Sequence, residues 1–155
     1  MCTQEIDFID RKALCVFPGN RANIDQAISK LQLKESYRVI VLIGGDIDEQ
    51  QADATRQAIQ TIARIAEELH ALIVCGGTKM GVMSEIGQIR QKNDYKFPLH
   101  GIAPQELVTW PDGPRSTRFL WWGVKRWQLE PHYSHFILVP GSQFGDESPW
   151  IVDTA

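Results

Sequence analysis

The sequence predicts an α/β fold, a Rossmann-like doubly wound parallel sheet with helices on both faces, and three observations predict it. Short, largely β-branched apolar runs recur at 13–17, 38–43, 71–75, 98–103 and 135–139, and most of the intervening stretches carry apolar residues at helical spacing. The runs end at glycine or proline. Strands that alternate with helices pair in parallel through right-handed crossovers.

The first run, 13–17, is closed by Pro18 and Gly19, and Ile24, Ala27, Ile28 and Leu31 then repeat at helical spacing behind Asn23, a residue suited to an N-cap. The second, 38–43, has almost no polar alternation, the pattern of a strand covered on both faces, and stops at Gly44, Gly45 and Asp46. From 53 to 69, Ile59, Ile62, Ala63, Ala66 and Leu69 form one stripe, which predicts a surface helix packed on the sheet. The third run, 71–75, breaks at Gly76 and Gly77, after which Val82, Met83, Ile86 and Ile89 share a helical face. The fourth ends at Pro104 and the fifth at Pro140 and Gly141.

Residues 105–131 break this rhythm. They are rich in Trp, Arg, Pro and Gly and too long for an ordinary strand connection, so they read as an insertion covering the site. A helix should begin near Asp146, yet the sequence stops at Ala155. The fold is therefore expected to lack its last helix and strand, as a C-terminally truncated domain would, with 1–155 otherwise forming one domain.

Composition narrows the function. A chain of 155 residues, 43% hydrophobic and 23% charged, has the make-up of an ordinary globular domain with one core. A net charge of -3 argues against nucleic-acid binding by broad phosphate neutralisation, while leaving room for a small anion in a pocket. Cys2, Cys15 and Cys75 cannot all pair with one another, and two of them lie in strand-like runs, as in a reducing compartment. The acidic N-terminus is unlike a signal peptide and no run reaches membrane-spanning length, so the expected location is the cytoplasm, away from membranes. Nothing in the motifs calls for a cofactor.

Ligands of open parallel sheets bind beyond the carboxyl ends of the strands. Three glycine-bearing turns lie there: Gly44, Gly45 and Asp46; Gly76, Gly77, Thr78, Lys79, Met80 and Gly81; and Pro140, Gly141, Ser142, Gln143, Phe144 and Gly145. Glycine lets main-chain N–H groups approach a phosphate, and a following helix adds unpaired amides and the positive end of its dipole. Thr78 and Lys79 are further donors in the second turn. A pair of glycines after a strand also makes a plain tight turn; three such turns on one sheet edge favour a binding site. Neither G-x-G-x-x-G after a strand nor G-x-x-x-x-G-K-[ST] is present, which argues against ordinary NAD dehydrogenases and P-loop NTPases.

At these turns the sequence resembles the SLOG superfamily, which includes Lonely Guy phosphoribohydrolases and the DNA-processing protein DprA, and within it the prokaryotic group related to the N-terminal domain of TRPM channels. The resemblance rests on GGTKMGVM at 76–83 and VPGSQFGDES at 139–148, with VLIGG at 41–45, FPLHGIAP at 97–104 and LEPHYSH at 129–135. It implies a sensor of nucleotides or NAD-derived molecules such as ADP-ribose, commonly as a homodimer and sometimes beside an effector. The enzymatic branch implies an alternative, hydrolysis of the N-glycosidic bond of nucleoside monophosphates by a glutamate in a P-G-G-x-G-T-x-E-E motif. Glu147 holds a comparable place, while Ser142, Asp146 and Ser148 replace the second glycine, the threonine and the final glutamate. A third reading is an assembly domain with a vestigial pocket.

Glu147 and Asp146 are the candidates for catalysis, since a carboxylate can stabilise an oxocarbenium-like ribose or activate water. They serve equally well as caps of the helix that begins there. Asp46 suits either a ribose hydroxyl or its own turn. Arg118, with Arg115, Lys125 and Arg126, can meet a pyrophosphate or remain solvated. Trp110, Trp121, Trp122 and Trp127 suit packing or stacking on a base. His132 and His135 have no third ligand at a recognised metal spacing.

Overall fold

Successive strand residues face opposite sides of a sheet, and the apolar runs of this chain use both. The computed structural model describes residues 1–33, 38–113 and 125–155. Among them, β1 (Cys2–Phe8), β2 (Arg11–Phe17), β3 (Val39–Leu42), β4 (Leu72–Cys75), β5 (Leu99–Pro104) and β8 (His135–Val139) form one sheet in the order β1-β2-β8-β5-β4-β3. Every pairing is parallel except the β1–β2 hairpin. Two short strands, β6 (Val108–Thr109) and β7 (Trp127–Gln128), pair in parallel apart from it.

On one face, Ile73, Cys75, Leu99, Phe136 and Leu138 pack against Ile59, Ala63 and Ala66 of α2 (Ala52–Leu69) and Ile86 and Ile89 of α3 (Gly81–Lys92). On the other, Leu72, Val74, Ile102, Ile137 and Val139 meet Ile24 and Ala27 of α1 (Ile24–Lys30) and Trp150 and Ile151 of α4 (Ser148–Thr154). Each fully buried Ile, Leu or Phe contributes about 1.5–3 kcal/mol relative to exposure, so both layers are needed to hold the sheet. The fold is the expected Rossmann-like α/β sheet with helices on both faces.

Four local readings change. The helix thought lost beyond Asp146 is present as α4, seven residues long and seated on α1. The run at 38–43 is an edge strand rather than a covered one: Val41 is 40% and Ile43 81% exposed. Asn23 does not cap α1 with its side chain, whose amide instead donates to the Pro18 carbonyl at 2.8 Å. Strand β1 was not anticipated at all, although Ile6 and Phe8 point into the core and Glu5 and Asp7 outward, the period-two pattern of a half-buried strand.

Because β2, β8, β5, β4 and β3 run parallel, their carboxyl ends lie along one edge of the sheet. That edge carries the three glycine turns.

Candidate functional site

At this edge the turn after β3, the turn after β4 and the loop between β8 and α4 surround a cavity of about 300 Å³. Gly44 and Gly45 come from the first turn, and Gly76, Gly77, Thr78 and Met80 from the second. The loop before α4 supplies Phe144 and Glu147, the end of β5 supplies Ile102, Ala103 and Pro104, and α3 supplies Met83.

Two glycine contacts make this convergence possible. Gly81 opens α3 with φ +42°, and a Cβ there would overlap the Gly45 carbonyl, which accepts the Val82 amide at 3.2 Å. The first two turns are thus fastened directly to each other, and only glycine fits both the conformation and the space. Beneath them Gly77 crosses Gly101 of β5 so closely that a Cβ on Gly101 would stand 2.7 Å from the Gly77 Cα, with the Phe136 ring under both. Tyr133, fully buried, donates to the Met83 carbonyl at 3.2 Å and holds the start of α3 against this floor.

The segment after Gly77 is bridged at Thr78 and then bends at Lys79, where the Met80 amide donates to the Thr78 carbonyl at 2.8 Å. The Lys79 amide donates to the Gln128 carbonyl at 2.7 Å and the Glu130 amide to the Gly77 carbonyl at 2.9 Å, an antiparallel bridge centred on Thr78 and Leu129. Met80 continues with φ -143° and ψ 147°. Thr78 and Met80 line the glycine cavity, while the Lys79 side chain lies on the far side, in clefts it shares with His132. The amides of Lys79, Met80 and Val82 are taken up by main-chain carbonyls, so they are not open to a phosphate.

Of the two candidate carboxylates, Glu147 lines the cavity and accepts the Gly145 amide at 2.8 Å through Oε2. Asp146 accepts the amides of Ser142 and Gln143 at 2.9 and 3.2 Å through Oδ2, which ties the 140–146 loop together. Pro140, Gly141, Ser142, Gly145 and Asp46 shape or flank the turns without lining the cavity. Arg118, with Arg115, Trp121 and Trp122, lies outside the described residues. Lys125 sits over the Trp127 ring at 4.1 Å, and Arg126 donates to the Glu106 carbonyl at 2.9 Å. Trp110 packs on Phe17 and Trp127 meets Phe144 edge-on, with ring centroids 5.9 and 6.2 Å apart. His132 bonds to Glu130 and His135 to Ser134, and among the described residues no three His, Cys, Asp or Glu side chains converge as a metal site.

Sequence reasoning missed Phe144, Met83 and the end of β5 as cavity walls. The strand-end rule places Pro104 at this edge once β5 is known to neighbour β4. Phe144 carried a weaker signal, a bulky apolar residue in an otherwise polar glycine loop.

Burial also sets the state of the titratable groups inside the sheet. His100, wholly buried with neither ring nitrogen hydrogen-bonded, is pushed down to about 3 by desolvation and secondarily by neighbouring His135. His135 is lowered to about 4, first by burial and then by Arg90. The Cys75 thiol, buried under the Gly76 turn, is pushed up to about 12 by desolvation, so it is an inert thiol rather than a nucleophile. All three cysteines are free.

No helix among the described residues is long and apolar enough to cross a membrane. Among curated proteins none matches the sequence. A solved structure of the molybdenum cofactor carrier protein from Chlamydomonas reinhardtii is similar with a TM-score of 0.46 and 16% identity, over 77% of this chain and 59% of that one, so the chain spans less than two-thirds of that structure. Residues 37–155 match the family model described as "SLOG in TRPM, prokaryote", and the chain belongs to that family.

Proposed function

We propose that the glycine cavity binds the nucleoside portion of a nucleotide or NAD-derived ligand such as ADP-ribose, as a sensing rather than a catalytic step. The observation that carries this reading is the convergence of three separate loops on one cavity whose walls are Met80, Met83, Ile102 and Phe144 and whose carboxylate is Glu147. Apolar walls suit a base, and a carboxylate accepts ribose hydroxyls. The phosphates would lie toward the glycines, where backbone can approach them closely. Family membership points the same way, to ligand binding.

Isothermal titration with ADP-ribose, NAD, AMP and cyclic ADP-ribose tests it. Saturable binding of at least one, weakened by Glu147→Gln, supports the proposal; no heat with any of them refutes it.

One observation favours hydrolysis as the second reading: Glu147, the residue that stands for the enzymatic glutamate, is also the carboxylate facing the cavity. Release of free adenine from AMP or of nicotinamide from NAD, lost in Glu147→Gln, would establish turnover. We also propose a cytoplasmic homodimer, with the exposed Val41 of edge strand β3 and Ile43 just beyond its end as the surface for self-association. Sedimentation of Ile43→Lys against the parent checks this: a monomeric variant from a dimeric parent agrees, and an unchanged species does not.

A further inference from the structure

On the far side of the 76–81 segment lies a second, larger cleft of about 470 Å³, separate from the glycine cavity. Its floor and walls are Phe8 at the end of β1, Trp110 after β6, Leu129 and Pro131, and its rim carries Lys79, Arg11 and His132. None of these side chains lines the glycine cavity.

The cationic groups here are incompletely satisfied. Arg11 donates through one terminal nitrogen to the His132 carbonyl at 3.2 Å, but its buried Nε–H has no partner, and the buried Trp110 indole N–H has none either. Arg90 donates to the same His132 carbonyl at 3.1 Å and to the Phe97 carbonyl at 2.8 Å, so two guanidinium groups crowd one acceptor. Burial, and after it the repulsion of Arg11, lowers Arg90 to about 10. Lys79 makes no ion pair with any described residue. Asp10, on the hairpin turn, is the carboxylate among the lining residues.

Behind the rim stands a built support. Glu130, 0% exposed, accepts the Ser84 hydroxyl at 3.1 Å and bonds Nδ1 of His132. It fits because α3 carries Gly87 at that point; a Cβ there would come within 2.8 Å of the Glu130 Cγ. A buried carboxylate on Nδ1 orients the ring and leaves Nε2 for a group outside. Burying an acid for surface packing alone is costly, and so is a buried donor left without an acceptor. The unpartnered Arg11 Nε–H and the unpaired Lys79 ammonium would each gain an acceptor if an oxyanion entered between them.

We propose that this cleft is a second ligand site, recognising a small oxyanion carried on a flat ring, either an aryl phosphomonoester or an aromatic carboxylate. The anion faces Lys79, Arg11 and His132, and the ring lies against Phe8 and Trp110. The size is that of a metabolite pocket. The proposal stands whether or not the glycine cavity holds a nucleotide.

Titration of the full chain with phenyl phosphate, benzoate and inorganic phosphate, followed by nitrogen-correlated NMR, tests it. Saturable shifts of the Trp110 indole and Arg11 Nε–H signals with phenyl phosphate or benzoate are expected, and the tighter of the two tells phosphomonoester from carboxylate. Inorganic phosphate, lacking the ring, should bind at least about tenfold more weakly. Lys79→Ala, at an exposed position, and Arg11→Gln should each weaken the ring anion about tenfold or more, and Arg11→Gln should leave any ADP-ribose titration unchanged. No saturable binding of either aromatic anion at millimolar concentration overturns the proposal. Shifts confined to Gly45, Gly77 and Phe144, equal affinity for inorganic phosphate, or binding indifferent to both substitutions would overturn it as well.

Discussion

The two sides of the 76–81 segment differ in almost every property that governs recognition. One side is walled by glycines, methionines and Phe144, with Glu147 its carboxylate. The other gathers Lys79, Arg11 and His132 around Phe8 and Trp110. The segment divides them because Thr78 is bridged to Leu129 and the chain bends at Lys79, which leaves Thr78 and Met80 on one side and Lys79 on the other. A motif that reads as one phosphate cradle is thus a partition between two cavities.

Breaking the glycine side should have the largest effect. In Gly81→Ala the new Cβ meets the Gly45 carbonyl and the positive φ is strained as well, at a cost of about 2–4 kcal/mol in stability. Urea unfolding would show this, and ADP-ribose binding should be lost while the Trp110 cleft keeps its response. Equal damage to both sides would mean that they are one site.

A pH series tests the sheet that carries both sides. Unfolded, His100 and His135 titrate near 6.5; folded, burial holds them to about 3 and about 4. Between those values the unfolded chain binds more protons, so stability should be full above pH 6.5 and decline as pH falls toward 4 and then 3. His100 accounts for up to roughly 1.4 kcal/mol per pH unit. His100→Leu, close in volume and without unpartnered nitrogens, should flatten the acid limb of a melting-temperature profile. An unchanged limb would place the acid sensitivity elsewhere.

Much of the fold was legible because the central strands are read by composition alone. The 71–75 and 135–139 runs are buried on both faces and the 53–69 stripe is amphipathic, and each became an element within a residue or two of its expected bounds. The failures have physical causes. Residues 38–43 look like a covered strand because edge position is a tertiary property that local sequence does not encode. Strand β1 hid in a polar alternation, as hairpin strands with one wet face do. For the site, the strand-end rule located Gly44 and Gly76 and the family resemblance singled out Glu147, whereas the direction of Lys79 depends on the bridge from Leu129, fifty residues away, which no local motif announces.

Smaller effects sharpen the contrast. Glu147→Gln should leave the melting temperature nearly unchanged, because its Gly145 amide contact survives, but weaken ADP-ribose about tenfold by calorimetry through the lost charge-assisted bonds. An unaltered affinity would remove Glu147 from recognition. Lys79→Ala should be the mildest change, within about 0.5 kcal/mol in stability and without effect on ADP-ribose, since its side chain lies outside the glycine cavity. A collapse in nucleotide affinity there would rejoin the two sides.

The central claim, that the glycine cavity at the strand ends is a nucleotide site, is tested most directly by an NMR titration with ADP-ribose. The account predicts saturable shifts at Gly45, Gly77, Phe144 and Glu147, with Arg11 and Trp110 unmoved. Shifts confined to Arg11, Trp110 and His132, or none at all, would contradict it.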